Sequence, residues 1–382
     1  MTTKTPYHFP ALQQAIELAQ KELKPFTDAI KKQPKVNMEH QAPTGEYNYN
    51  DYSEKMDDLV FTYDKDFYPL DEDLPDPQID PIIPGAKVAL DKVGIAPVDL
   101  PIRVKRRNGT EQVLQSQVSL YCSLDDPKVK GLNLSRLYIL MHDNIKDNLT
   151  IDGIKNVLEE MANKQGSNNA YCKIRFKYPW TQKALRSRVP LTDRDLVDHT
   201  YEELSNGEKI SLRKMEGHIA YNVILEGEYH RNNVDKQYKF YLTVEYQYSS
   251  TCPCSFELAH NATALRNAAA NAHSQRSVMR TTVEFDPSNI VWIEDMIELH
   301  RQLIPTEVQV VVKRRDEQAF AELNGSNLLF SEDAVRIVYA ALDDWFNVGK
   351  IFDFRIITDH IESLHPWSAI ALVSKGISGG LR

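Results

Sequence analysis

Ala220-Tyr-Asn-Val-Ile-Leu-Glu-Gly-Glu-Tyr229 and Gln237-Tyr-Lys-Phe-Tyr-Leu-Thr-Val-Glu-Tyr-Gln-Tyr248 decide the fold. In both stretches apolar or aromatic side chains alternate with polar ones. That period of two belongs to a strand with one buried face. The polar turn around Asn232-Asn233 joins them, so the pair predicts two strands connected in sequence.

The pattern extends in both directions. Upstream, Pro101–Lys105 and Glu111–Cys122 read as strands joined by a hairpin turn at Arg107-Asn-Gly109. Ser135–Asn144 and Ile151–Asn163 read as helices, and Ala170–Phe176 as a strand. Leu185–Leu204 is polar and predicts an insertion with helical parts. Downstream come a strand at Ser277–Phe285 and a helix at Pro287–Leu303 with Ser288 as its cap. A β-branched strand at Val308–Lys313 follows, then an amphipathic helix at Ser331–Phe346. Glu332 and Asp333 lie in that helix's first turn, where acids suit the helix dipole. Ile351–Thr358 and Ser368–Val373 are the last strands. Strands, helices and strands thus occur in the same order twice. This predicts an α+β fold of antiparallel sheet and helices, built from two similar modules in tandem.

Ahead of these modules, residues 10–33 predict a helix split at Pro25, and residues 34–85 are irregular and rich in proline. This leading part is acidic: Gln41–Gly85 holds twelve acids and two bases. With a net charge of −9 over 382 residues, the remainder is close to neutral. Such a balance argues against nucleic acid as a partner. Hydrophobic content of 42% and charged content of 26% are those of a globular chain. No apolar run approaches the roughly 20 residues that span a bilayer. The first residues lack the apolar core of a secretory signal, so the expected location is cytoplasmic, away from membrane. Four cysteines are too few for a disulfide framework in a chain this long.

Two of those cysteines sit in Ser250-Thr-Cys-Pro-Cys-Ser255, and His273 follows in Ala272-His-Ser-Gln-Arg-Ser277. Thiolate and imidazole are ligands of borderline-soft divalent metals. One cysteine pair with distant partners favours a catalytic site with an open position over a structural zinc site. Two buried thiols and a core histidine fit the spacing equally well. Val312-Lys-Arg-Arg-Asp-Glu317 offers Lys313 and Arg314 to phosphates and Glu317 as an oxygen ligand, or else a solvated strand end. Phe330-Ser-Glu-Asp333 reads as a helix cap. Its Glu332 could instead accept paired hydrogen bonds from a guanine-like edge. His360-Ile-Glu-Ser-Leu-His365 brings Glu362 and His365 together, as an acid/base pair or as a polar turn.

Taken in order, these segments resemble GTP cyclohydrolase IB, the prokaryotic type of the first enzyme of folate biosynthesis. The matching pieces are Val93-Gly-Ile95 before Leu100-Pro-Ile102, Lys130-Gly-Leu-Asn-Leu-Ser-Arg136, Cys252-Pro-Cys-Ser255, Ala272-His-Ser-Gln-Arg-Ser277, Lys313-Arg-Arg-Asp-Glu317, Phe330-Ser-Glu-Asp333 with Arg336, and Glu362-Ser-Leu-His365. The resemblance covers roughly residues 92–378. It departs at Asn133-Leu134, where the family carries His and Met, and at Ser274, where it carries Asn. The stretch between Cys254 and His273 is also longer than the family's.

The resemblance implies tandem tunnelling-fold modules, antiparallel sheets with helices on one face, over residues 91–235 and 236–382, preceded by an extension over 1–90. It implies a homotetramer with sites at subunit interfaces, a divalent metal (Zn²⁺ or Mn²⁺), and GTP as substrate. The reaction is GTP plus water giving 7,8-dihydroneopterin triphosphate and formate. By position, Cys252, His273 and Glu317 correspond to the metal site, and Glu332 to the guanine anchor. Cys252, Glu332, Glu362 and His365 correspond to the catalytic group. Arg276, Ser277, Lys313, Arg314 and Arg136, the last from another subunit, are expected at the substrate. Two other readings remain: a pterin or purine enzyme of the same fold with a cysteine nucleophile, similar to nitrile reductases, and a GTP-binding homologue without turnover.

Overall fold

The computed structural model describes residues 83, 85–145, 148–186, 201–203, 207, 209–211 and 216–381. The helix expected over 10–33, the irregular stretch that follows it and most of the insertion expected at 185–204 lie outside the described residues. Ten strands are described: β1 (Leu90–Lys105), β2 (Glu111–Leu124), β3 (Asn169–Lys183), β4 (Tyr201–Glu203), β5 (Lys209–Ser211), β6 (Glu216–His230), β7 (Tyr238–Thr251), β8 (Ser274–Phe285), β9 (Asp353–His360) and β10 (Ala369–Ser374). The described helices are α1 (Leu134–Ile145), α2 (Ile151–Gln165), α3 (Pro253–Arg266), α4 (Ile293–Leu303), α5 (Arg314–Ser326) and α6 (Ser331–Asn347).

Eight strands form one antiparallel sheet in the order β1-β2-β3-β6-β7-β8-β9-β10, and β4 pairs with β5 apart from it. Two strands, helices and two strands thus recur along a single sheet, an α+β architecture as the sequence predicts. Some strands, β1, β3, β6 and β8, begin earlier than their apolar runs suggest. β1 starts at Leu90, eleven residues before the expected Pro101.

Alternation decides which face is buried. Phe240, Leu242, Val244, Tyr246 and Tyr248 of β7 point to the helix-covered face and are closed to solvent. The opposite face carries Gln117, Arg175, Asn222, Glu245 and Arg280. On the covered face α2 presents Ile154, Val157, Leu158, Met161 and Ala162, a stripe at helical spacing. Its start is fixed by Thr150, whose hydroxyl accepts from the Gly153 N–H at 2.9 Å. The helix lies so close to the sheet that a Cβ at Gly227 would sit 2.9 Å from Ile154 Cγ2, so β6 needs glycine there. Gly109, with φ 85°, closes the β1–β2 hairpin in the left-handed region that glycine tolerates best.

Between β6 and β7 the sheet divides. Their pairing ends at Asn222 and Glu245. Beyond that point Ser249 N–H donates to Thr306 O at 2.8 Å, Val308 N–H donates to Gln247 O at 3.2 Å, and Tyr248 bridges Glu307. The strand expected at Val308–Lys313 does not form: the one bridge falls at Glu307, just before it. Its β-branched residues sit in a wedge where Gln182, not a neighbouring strand, takes the backbone. Gln182 donates to Val308 O at 2.8 Å and accepts from Val310 N–H at 2.9 Å.

Within the wedge Glu307 is 3% exposed. It receives the Tyr221 hydroxyl, Gln182 Nε2 at 2.9 Å and Arg301 Nε at 3.0 Å. A buried carboxylate persists only with such partners.

Other boundaries also shift. Pro287–Trp292 is not helical: Asp286 accepts from the Ser288 N–H at 2.8 Å and the Ser288 hydroxyl at 2.6 Å, a local turn. α4 starts only at Ile293, so Ser288 is not its cap. At the other end of β9, Asp353 is closed to solvent. Its carboxylate accepts from the N–H groups of Phe354, Gly376 and Leu381 at 2.7, 3.0 and 2.6 Å, clasping the residues after β10.

His300 of α4 is fully buried, stacked on Tyr246, with Nε2 2.8 Å from Thr281 Oγ1. Burial pushes its pKa down to about 4. The folded imidazole stays neutral while the unfolded one protonates below about 6.5. Stability from this residue is therefore full above that value and is lost as pH falls toward 4. The loss is about 3 kcal/mol at most. Melting curves at pH 7 and pH 5 should show a larger drop for the native chain than for His300→Gln. Equal drops would remove His300 from the acid response.

Candidate active site

Four element ends meet at one end of the sheet: the last residues of β7, the first of β8, the last of β9 and the first turn of α6. Their meeting starts from backbone pairing. Thr251 faces Ser274 in the β7–β8 ladder, and one rung further Cys252 N–H donates to His273 O at 3.3 Å. Residues 21 apart in sequence are thereby neighbours. The chain between them leaves as α3, begun by Pro253 at the first helical position. This helix runs Pro253–Arg266. It returns through Asn267 in the left-handed region, and Ser255 Oγ accepts from the His273 N–H at 3.2 Å. Cys252 is half-buried, Cys254 is exposed, and both are free thiols.

His273 is held on one side of its ring. Nδ1 lies 3.1 Å from Gln275 Oε1 and 3.7 Å from Glu362 Oε2. Gln275 Nε2 donates to Ser250 Oγ at 2.8 Å, and Ser250 Oγ lies 2.8 Å from Ser277 Oγ. Glu362 Oε2 is buried and has no hydrogen-bond partner among the described residues. A buried oxygen without a donor is costly, and it marks a place where a cation or a donor is wanted.

Beside Glu362 stands His360, 2% exposed, with Nε2 2.7 Å from the Tyr248 hydroxyl. Burial lowers its pKa, against the pull of Glu362, Glu332 and Asp359. Glu332 opens α6. Its carboxylate is held below the usual range first by its own backbone N–H, then by the Ser331 hydroxyl, with Arg336 and His360 adding to this. Thr358 Oγ1 donates to Ser331 O at 3.4 Å and ties this helix start to β9. Asp333 accepts from the Phe330 N–H at 3.2 Å. The capping role expected for this motif thus falls to Asp333, not to Glu332.

The structure brings Cys252, His273, Glu362 and Glu332 to the same end of the sheet. Glu317 is exposed on the first turn of α5, where it lines a cavity of about 360 Å³ with Gln275 and Arg276. Among the described residues no three His, Cys, Asp or Glu side chains converge closely enough to hold an ion by themselves. The expected trio of Cys252, His273 and Glu317 is therefore not gathered in the single chain. The α5 helix puts Glu317 on the cavity wall, while the β7–β8 rung joins the other two. Lys313 and Arg314 are exposed at the start of α5. Ser277 is fully buried, and its hydroxyl is taken up by Ser250. His365 is exposed in the β9–β10 connection, stacked on Trp367 at 4.5 Å between centroids. Arg136 is exposed on α1, which packs on α2 and β1 at the far edge of the sheet from β9 and β10.

His360, Tyr248, Gln275 and Ser250 were not singled out as site residues. The signal was present. His360 shares the inward phase of Phe354, Ile356 and Thr358, and Gln275 that of Ser277 and Met279. A polar side chain at an inward position of a strand end is an anomaly that alternation exposes.

The chain is matched twice by the model of the family described as type I GTP cyclohydrolase folE2, over residues 75–206 and 205–371. It is 35% identical over 309 residues to the GTP cyclohydrolase FolE2 of Dinoroseobacter shibae, covering 80% of this chain and 75% of the relative. It is 37% identical over 305 residues to that of Cereibacter sphaeroides, covering 79% and 76%. Among solved structures, a uricase from Arthrobacter globiformis is superposable at TM-score 0.37 and 7% identity, over 76% of this chain and 95% of that one. A urate oxidase mutant from Bacillus sp. TB-90 reaches 0.41 and 8%, over 74% and 98%. Two family matches that together run from residue 75 to 371, and relatives above 30% identity over three quarters of their own length, agree with one another. By these measures the chain belongs to the type I GTP cyclohydrolase FolE2 family.

Proposed function

We propose that this chain hydrolyses GTP to 7,8-dihydroneopterin triphosphate and formate, the entry step to folate, at the site formed by the ends of β7, β8 and β9 and the start of α6. The observation that carries the reading is the adjacency of Cys252, His273 and the unpartnered Glu362 in a chain of this family. Thiolate, imidazole and carboxylate suit Zn²⁺ or Mn²⁺, and the orphaned Glu362 oxygen supports a cation nearby. Cys252 and His273 would hold it, and Glu317 would have to approach from the cavity wall on α5 to serve as the third donor. When bound, such a metal lowers the pKa of its water enough to furnish hydroxide near neutral pH.

The protein's own groups do the rest. Glu332, ionised at the helix start, accepts from the N1–H and exocyclic amine of guanine and orients C8 toward the hydrolytic centre. C8 is a poor electrophile, so a proton delivered to N7 favours attack. His365 is the proposed donor, with Glu362 beside the centre to accept and return protons. The same groups serve the second hydrolysis, which releases formate; opening and rearrangement of the ribose and closure of the new ring on the freed amine, with loss of one water, then complete the product. Arg276, Lys313 and Arg314 form a cationic rim for the triphosphate. Ser277 contributes through its bond to Ser250. Arg136 reaches a site only from another copy, which favours a homotetramer with shared sites. In this reading residues 91–235 and 236–382 are two tunnelling-fold modules, and residues 1–90 an extension. The expected setting is the cytoplasm, and no helix among the described residues is long and apolar enough to cross a membrane.

Purified protein incubated with GTP and Mn²⁺ or Zn²⁺ should release formate and a product that fluoresces after oxidation. A chelator should abolish this, and added metal should restore it. Turnover indifferent to chelation would point instead to cysteine nucleophile chemistry, and GTP binding without formate would point to a homologue without turnover. Cys252→Ala, His273→Ala and Glu332→Ala should each cut kcat/KM at least 100-fold, in keeping with the loss of a metal ligand or a charge-assisted pair.

A separate test concerns pH. Glu332 is held below the usual carboxylate range, so its share of GTP affinity should persist from pH 7 to pH 5. The affinity ratio of native chain to Glu332→Ala should be constant over that interval. A ratio that collapses above pH 5 would show a carboxylate titrating too high for this role.

A further inference from the structure

Gln275, Ser250 and Ser277 form a buried chain of hydrogen bonds: Gln275, at the edge of the cavity it shares with Glu317, is 8% exposed and both serines are at 0%. Every hydrogen in it must be placed internally. Two placements are self-consistent. In one, the Gln275 amide nitrogen donates to Ser250 and its oxygen accepts from His273 Nδ1. In the other the amide is reversed, and its nitrogen donates to an unprotonated Nδ1.

A second group breaks the tie. Glu362 Oε2, buried and without a hydrogen-bond partner, lies 3.7 Å from the same Nδ1. A carboxylate facing a bare ring nitrogen would be repelled by its lone pair, whereas one facing an N–H is stabilised. The first placement therefore holds, and the hydrogen sits on Nδ1.

We infer that Gln275 is a positioning residue, anchored through Ser250 to Ser277, that fixes the tautomer of His273 so that Nε2 keeps its lone pair for a divalent cation. The inference rests on the metal reading above and deepens it. A histidine ligand depends on its other nitrogen being held in this way: the partner fixes ring orientation and strengthens the donor, and its loss typically weakens metal binding 10–100-fold.

The test uses the full chain and two readouts besides activity. In metal-free protein, imidazole ¹⁵N NMR should show His273 with a protonated Nδ1 and an unprotonated Nε2, the signal being assigned by its absence in His273→Ala. In Gln275→Met, which keeps the volume and removes the acceptor, the Nε2–H form should gain. Zn²⁺ affinity, measured by competition with a chromophoric chelator, should fall 10–100-fold. Gln275→Glu, which can still accept from Nδ1, should stay within a few-fold of the native value. A purely structural role for Gln275 would lower the melting temperature of Gln275→Met without changing the tautomer. A native His273 protonated on Nε2 would overturn the inference even if Gln275→Met fails to fold. So would unchanged Zn²⁺ affinity in a folded Gln275→Met. If His273→Ala itself binds Zn²⁺ as the native chain does, the metal reading fails and this inference with it. If His273→Ala loses Zn²⁺ and Gln275→Met does not, only the inference fails.

Discussion

A single buried carboxylate, that of Glu307, sets the shape on which the rest depends. It sits where β6 and β7 part, and it collects a hydroxyl from β6, an amide from β3 and a guanidinium from α4. Removing one partner would leave a charge in a water-excluded place, at a cost of several kcal/mol. The divergence of the two strands is therefore not slack in the sheet. It is a joint held from three sides, and the chain that follows Glu307 is aimed by it. That chain becomes α5, whose first turn carries Glu317 along the cavity shared with Gln275 and Arg276.

The same joint frees the end of β7. Past Glu245 the strand has β8 on one side, while the other is met by the short Thr306–Val308 wedge and, at Thr251, by the Leu329 N–H. Its last inward residues, Tyr248 and Ser250, face hydrogen-bonding groups from β8 and β9 in place of apolar neighbours. Polar side chains can be buried there because they find partners. Two buried oxygens there lack one: Asp359 Oδ1, next to His360 on β9, and Glu362 Oε2, which stands beside the histidine assigned to the cation.

Much of this was legible in the residue pattern, for identifiable reasons. β6, β7 and β8 announce themselves through strict alternation, and α6 through its apolar stripe and acidic first turn. α5 was hidden because it buries mainly Asp316 and Asn324, so no hydrophobic period betrays it. The valines before it looked like a strand, yet side-chain bonds from Gln182 replace the ladder there. Cys252, His273, Glu332 and Glu362 could be named from their types and from family resemblance. Their grouping depends on register and on where α3 returns, which no local pattern encodes. Gln275 and His360 were overlooked because polar residues in a strand are usually assigned to its wet face, and here they occupy the dry one.

The stretch from Pro253 to Ala272 has a further meaning. Both its ends are pinned by adjacent rungs of one ladder and by the Ser255 bond to the His273 amide, while α3 between them buries only Ala262. Extra length in such an excursion adds little closure entropy and does not move its end points. A change in the length or composition of this excursion would thus leave the thiol and the imidazole at their spacing.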